Sequence, residues 1–272
     1  NYYWMPPTSG DIEKAIDAGL NVFLVGPAGT GKSSWLVKIC EKRGTKYLAI
    51  NLNGEVSVDD LVGVKDLVNG QTVFTEGVLP RALREGIPLI IDELDAAPPD
   101  VLFVLQNVLE GRPLCLTKKG AEYVMPEPGF CILATANTIG KGDDSGLYAG
   151  TNILNEAFLD RFGMVMECWY LPADEETRVL VKRTGLHKRA AEKMVKLAGL
   201  VRESMRADKF EGTFSTRKLL SWCVLIGHGV DMTDAFRYTC LAKVGPEDKK
   251  ALAELAQRVY GNALEIDLDK LQ

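Results

Sequence analysis

Asn21-Val-Phe-Leu-Val-Gly-Pro-Ala-Gly-Thr-Gly-Lys-Ser33 is the stretch on which the reading of the whole sequence turns. Val22 to Val25 is apolar and ends at glycine, the pattern of a short buried strand. Gly26 to Ser33 then fits glycine, four residues, glycine, lysine, serine. Glycines let successive backbone amides turn inward and cradle phosphate oxygens. A helix is expected over Ser33 to Lys42, and its N-terminus would offer unpaired N–H groups to the same phosphates. Gly26, Pro27, Ala28, Gly29, Thr30, Gly31, Lys32, Ser33 and Ser34 are therefore candidate nucleotide-binding residues. Lys32 suits the β- and γ-phosphates, and Ser33 suits magnesium.

Working outward, Lys46 to Asn51, Pro88 to Asp92, Phe130 to Ala134 and Met164 to Cys168 also read as strands. Pro98 to Glu110 and Ile153 to Asp160 read as helices between them. Strands separated by helical patterns predict an α/β fold with a parallel sheet and helices on both faces. Two hairpins interrupt this rhythm. Val64 to Glu76 turns at Asn69-Gly70, a strong hairpin signal, and Arg112 to Met125 turns at Lys119-Gly120. After Pro172 the pattern is mostly helical, broken at Gly185, Gly212, Gly227, Gly229 and Gly245-Pro246. The expected division is a nucleotide-binding core over 1–171 and a smaller helical lid over 172–272.

Composition bounds the rest. The 272 residues are 46% hydrophobic and 25% charged, a globular balance that excludes disorder and collagen-like repeats. Long uncharged stretches such as Pro128 to Gly140 and Leu219 to Val230 fall short of the roughly 18–20 apolar residues a bilayer needs. No membrane partner is expected. The first residue is Asn rather than Met, so the natural start is expected to be missing. Cys40, Cys115, Cys131, Cys168, Cys223 and Cys240 lack metal or redox spacing and read as reduced core thiols of a cytoplasmic protein.

Charge is unevenly spread. Residues 1–181 carry 15 basic and 25 acidic side chains, while residues 182–218 carry 11 basic and 4 acidic. Lys188, Arg189, Lys193, Lys196, Arg202 and Arg206 are expected to form a solvated helix face. Their sharper use would be docking on an acidic surface of another copy. Nucleic acid is not the expected partner, because the net charge is −5 and no aromatic residues interleave with the basic run.

Further polar residues sit where this fold places chemistry. Pro88-Leu-Ile-Ile-Asp-Glu93 ends an apolar strand in two carboxylates. Asp92 would hold magnesium through its water shell, and Glu93 would act as general base toward water. Asn137, at the end of the fourth core strand, would face the crevice where such sheets bind ligands. Arg161 precedes the fifth strand, and Arg217 opens a helix of the second domain.

The order phosphate loop, Asp-Glu, Asn137, Asp160-Arg-Phe162 and Ser215-Thr-Arg217 resembles the AAA+ ATPases from about Val22 to Val224. The two hairpins resemble the branch that holds MoxR-like proteins, chelatase ATPases, dynein and helicases. That resemblance implies an ATP hydrolase built as an αβα core with two hairpin insertions and an all-helical lid. It implies ATP and Mg2+ as ligands and a homo-oligomeric, hexameric ring. It also implies that Arg161 reaches the neighbouring subunit's γ-phosphate and that Arg217 senses it from the lid, in its own or the adjacent subunit. Members often carry proline before that last arginine; this sequence has Thr216.

Three longer stretches are similar to the CobS group, the ATPase subunits of aerobic cobaltochelatases. They are Phe74 to Pro80, Asp92 to Gln106, and Ala134 to Thr151 running into Ile153 to Phe162. The Gly140–Thr151 part is the most specific. This similarity implies a large chelatase subunit and a von Willebrand-type protein as partners. A MoxR-like chaperone ATPase outside cobalamin synthesis, a nucleic-acid motor and a nucleotide-gated scaffold are the alternatives. The sequence holds no corrin or cobalt site, so any such chemistry belongs to a partner.

Overall fold

The structure, a computed structural model, describes residues 3–137, 154, 156–207, 209–211, 213–261 and 264. Its contacts divide the chain into two units. Met5–Gly26 with Gly31–Cys168 forms the core unit, and Asn1–Trp4, Pro27–Thr30 and Trp169–Gln272 form the second, mostly helical unit. The Gly140–Thr151 segment, Ile153 and Gly212 lie outside the described residues.

The core unit runs α1 (Ser9–Asp17), β1 (Val22–Val25), α2 (Lys32–Lys42), β2 (Leu48–Asn51), α3 (Val58–Val62), β3 (Gly63–Val68), β4 (Gln71–Glu76), α4 (Val78–Glu85), β5 (Leu89–Asp92), α5 (Pro99–Leu109), β6 (Leu114–Leu116), β7 (Glu122–Val124), β8 (Ile132–Ala136), α6 (Glu156–Leu159) and β9 (Met164–Glu167). Five strands form one sheet in the order β2-β5-β8-β1-β9, with every pairing parallel. This is the expected α/β architecture. The first strand lies between the fourth and fifth core strands, so the chain reverses its direction of travel across the sheet at β1. Ligands bind beyond the carboxyl ends of strands at such a switch point. The strand run of Val22 to Val25 is wholly buried. Phe23, Leu89, Ile91, Leu105 and Ile132 share its core, and Phe162 packs on Phe23 with ring centroids 5.1 Å apart.

Local signals explain most boundaries. Asn69 and Gly70 both have positive φ, which a two-residue hairpin turn needs, and they join β3 to β4 with Val68 opposite Gln71. Ser57 caps α3 through a reciprocal capping box with Asp60. The fourth core strand sits two residues later than its apolar run suggests, over Ile132–Ala136. The reason is Asn21: its Oδ1 accepts the Ile132 N–H at 2.9 Å and its Nδ2 donates to the Leu109 carbonyl at 3.1 Å. Pairing starts where that clamp ends, and Thr135 thereby falls inside the strand.

The two hairpins are braced to each other. Arg84 pairs with Glu76 at 3.2 Å and with Glu122, while Lys119 pairs with both carboxylates at 3.1 Å. Lys118 pairs with Asp59.

The helical unit holds α7 (Ala173–Thr184), α8 (Lys188–Arg206), α9 (Thr216–Gly227), α10 (Met232–Thr239) and α11 (Pro246–Tyr260). Gly185 ends α7 in the left-handed conformation, and Gly245-Pro246 starts α11. Trp222 is fully buried between Phe236 and Tyr260, at centroid distances of 4.9 and 5.7 Å.

Two expectations are corrected. Arg202 is not on a solvated face: it is buried and paired with the buried Glu176 at 2.7 Å. Cys115 is only half-buried, whereas the other five free thiols are buried. Among the described residues no helix is long and apolar enough to cross a membrane.

Removing the Asn21 clamp should loosen the strand that carries Thr135 and Asn137. Asn21→Ala is expected to lower stability by about 1–3 kcal/mol, since the Ile132 N–H loses its partner; the shift in a urea unfolding midpoint measures it.

Candidate nucleotide site

The core unit brings the predicted carboxylate, lysine and serine together at the ends of β1, β5 and β8. Gly26 leaves β1 with φ +151°, and its N–H donates to the Ala136 carbonyl at 3.2 Å. A Cβ on residue 26 would stand 1.9 Å from the Cys168 carbonyl oxygen. Glycine is therefore required on both conformational and steric grounds. Gly31, in the left-handed conformation with φ 97°, caps α2. Lys32 follows, buried, with Nζ donating to the Gly26 carbonyl at 2.6 Å and to Asn137 Oδ1 at 3.2 Å. Burial lowers the Lys32 pKa, opposed by Asp92, Asp95 and Glu93 nearby. Burial also pushes the Cys168 thiol up to about 11.

Asp92 is oriented by two hydroxyls. Ser33 Oγ donates to Asp92 Oδ1 at 2.6 Å, and Thr135 Oγ1 donates to the same oxygen. Thr135 Oγ1 also accepts the Glu93 N–H at 3.4 Å. Glu93 itself adopts φ 58°, ψ 46°. Among the described residues only Asn69, Glu93 and Ala121 are non-glycine with positive φ. Asn69 and Ala121 lie in hairpin turns; Glu93 lies at a strand end. A non-glycine residue held there costs on the order of 1–3 kcal/mol, a strain that clusters at working sites.

Asn137 is held from both sides. Its side chain accepts from Lys32, and its N–H donates to Asp95 Oδ2 at 3.0 Å. Asp95 is fully buried. It lies in a short 3-10 turn, Leu94–Ala96, and the cap of α5 is Pro98. Thr135 and Asp95 were not among the residues the sequence nominated. Their available signal was polarity inside apolar surroundings: a threonine in Ile132–Ala136 and a carboxylate between Leu94 and Ala96.

Pro27 to Thr30 group with the helical unit. Thr30 Oγ1 donates to the Pro27 carbonyl at 3.1 Å, and Gly29 has φ +78°. Ser34 is exposed at the start of α2.

Arg161 Nη2 pairs with Glu110 at 2.6 Å, and Arg161 Nη1 donates to the Ala157 carbonyl. Arg217 is exposed in the first turn of α9.

The donor set fits a magnesium nucleotide. Gly31, in the left-handed conformation, leads into the N-terminus of α2, the buried Lys32 ammonium follows it, and the nearby oxygens of Ser33 and Asp92 are hard donors of the kind magnesium takes. No group of three or more metal-ligating side chains occurs among the described residues.

Comparison with known proteins agrees with this geometry. Residues 21–162 match the model of the AAA domain, dynein-related subfamily, and residues 176–259 match the CbbQ/NirQ/NorQ C-terminal model. Aerobic cobaltochelatase subunit CobS of Sinorhizobium sp is 34% identical over 250 residues, covering 88% of this chain and 75% of that one. Protein NorQ of Paracoccus denitrificans is 28% identical over 252 residues, covering 92% and 90%. A solved chain from Cytophaga hutchinsonii has a TM-score of 0.50 at 17% identity over 92% of this chain and 80% of its own, and supports the fold.

Thr135→Val keeps the shape and removes the hydroxyl that links Asp92 to the Glu93 backbone. Phosphate release is expected to fall about tenfold, the loss of one hydrogen bond to a charged group, while a fluorescent-nucleotide titration moves less than about twofold. Wild-type turnover in the folded variant would remove Thr135 from the site.

Proposed function

The chain belongs to the dynein-related subfamily of AAA domains and is an ATP hydrolase of the MoxR, CobS and NorQ type, and on that footing we propose that it is the motor of a hexameric ring that remodels a protein partner. The observation that carries the reading is the Ser33–Asp92–Thr135 set beside Lys32, Asn137 and a Glu93 held in the left-handed region. Strain held at the strand-end carboxylate marks a working site and supports a role for Glu93 in turnover.

In this reading Gly26 to Ser34 cradle the triphosphate, with Lys32 moving from the Gly26 carbonyl onto the β- and γ-phosphates. Ser33 and Asp92 hold Mg2+, which when bound neutralises charge on the phosphate oxygens. Glu93 takes a proton from water as the water oxygen attacks the γ-phosphorus. The bond from that phosphorus to the bridging oxygen breaks, ADP takes the electron pair, and phosphate leaves. Asn137 orients the water. Arg161, released from Glu110, reaches the γ-phosphate of the adjacent subunit, and Arg217 acts from the lid of a core over 1–171 and a lid over 172–272. The basic run of residues 182–218 docks on the acidic core of a neighbouring copy.

The client follows the relatives. The 34% identity to CobS supports a large chelatase subunit and a von Willebrand-type protein as partners in the cytoplasm. The NorQ-type C-terminal match equally supports a MoxR-like chaperone ATPase outside cobalamin synthesis. Capture of partners from the native cell separates the two. A nucleic-acid motor has less support, because Lys118 and Lys119 in the hairpins are matched by Asp59, Glu76 and Glu122.

Glu93→Gln is expected to keep ATP bound and lose at least about a hundredfold in phosphate release, the usual loss of a general base. Normal turnover would take Glu93 out of that role. Arg161→Ala is expected to bind nucleotide without turnover, and mixing it with Lys32→Ala should restore part of the activity. Mixed assemblies that stay inactive at every ratio would show that Arg161 does not act across a subunit boundary.

A further inference from the structure

The helical unit contains a buried ion pair that stability alone does not account for. Glu176 is fully buried and accepts three hydrogen bonds: Arg202 Nη1 at 2.7 Å, Arg202 Nη2 at 2.8 Å and Thr216 Oγ1 at 2.6 Å. Arg202 Nε donates to the Phe214 carbonyl at 2.9 Å. The guanidinium also lies 3.9 Å from the centroid of Tyr170. Desolvating two such charges offsets most or all of their attraction, so a hydrophobic pair of similar volume would be about as stable. What the pair supplies is geometry. The Arg202 fork holds Glu176, Arg202 Nε holds the Phe214 carbonyl and Glu176 holds the Thr216 hydroxyl, so the pair fixes the residues on either side of Ser215.

That backbone lies against the phosphate loop's middle residues, which belong to the same unit. The Tyr170 hydroxyl donates to the Ala28 carbonyl at 3.4 Å. A Cβ on Gly29 would stand 2.5 Å from Ser215 Cβ. Ser215 caps α9, whose first turn carries Arg217. The Thr216 hydroxyl, bonded to Glu176, thus ties the residue before Arg217 to the buried pair.

We propose that Glu176, Arg202 and Thr216 are positioning residues for ATP turnover: they set Arg217 in register with Ala28 and Gly29 of the phosphate loop. This rests on Arg217 acting on the nucleotide. Lysine at 202 cannot reproduce the fork, the Phe214 bond and the stacking together.

The test is a double-mutant cycle on the full chain, using Thr216→Val as the mild variant and Arg202→Lys as the strong one, each with and without Arg217→Ala. Circular dichroism and a urea transition establish folding, and ATP titrations separate kcat from KM. If the proposal holds, Thr216→Val lowers kcat/KM about tenfold, as one charged hydrogen bond allows. On the Arg217→Ala background the same change then costs less than about twofold. A full multiplicative loss on that background, or wild-type turnover in folded Thr216→Val, overturns the positioning role while leaving Arg217 in place. Wild-type kinetics in Arg217→Ala itself removes Arg217 from the reaction and the positioning role with it. Should Arg202→Lys fail to fold, Thr216→Val decides alone.

Discussion

At Gly26 the chain leaving β1 passes so close to the Cys168 carbonyl that no side chain fits between them. The consequences spread through the core unit. The Gly26 carbonyl is turned toward Lys32, which holds a buried ammonium beside Asn137. β1 keeps its place between β8 and β9, so the carboxyl ends of three strands open on one region. A β-carbon at that one position would push the end of β1, which carries the phosphate loop, away from the end of β9.

The site was legible where its chemistry is local in the chain. Gly26 to Ser33 carries turn, helix start and cation in eight consecutive residues, and Asp92-Glu93 follows an apolar run directly. Where the chemistry depends on neighbours across the sheet, the sequence offered only a polar residue in apolar surroundings and not its partner. Thr135 matters because β8 lies next to β5, and Asp95 because the chain after Glu93 turns back under Asn137. Arg202 was misplaced for a related reason. Helical spacing says which residues share a face, but only Glu176, on another helix, says that this face is covered. The short α3 and α4 were likewise unread, although Ser57 and Asp60 hold a capping-box signal.

The helical unit has an organisation of its own. Its core centres on Trp222, Phe236 and Tyr260, far in sequence from the phosphate loop. Its polar centre is the Glu176–Arg202 pair, and the residues that pair fixes are those next to Arg217. Stability and placement are thus assigned to different residues. A family of motors that shares one hydrolytic core can vary the first without disturbing the second.

The Glu76, Arg84, Glu122 and Lys119 side chains form a closed circuit in which each charge touches two of the opposite sign. In such a loop every member is equivalent: striking out any one leaves the other three joined in a chain by two ion pairs. Its members are all partly exposed, so ions in solution compete with every link at once. The two insertions are therefore tolerant of isolated sequence change and vulnerable to brine.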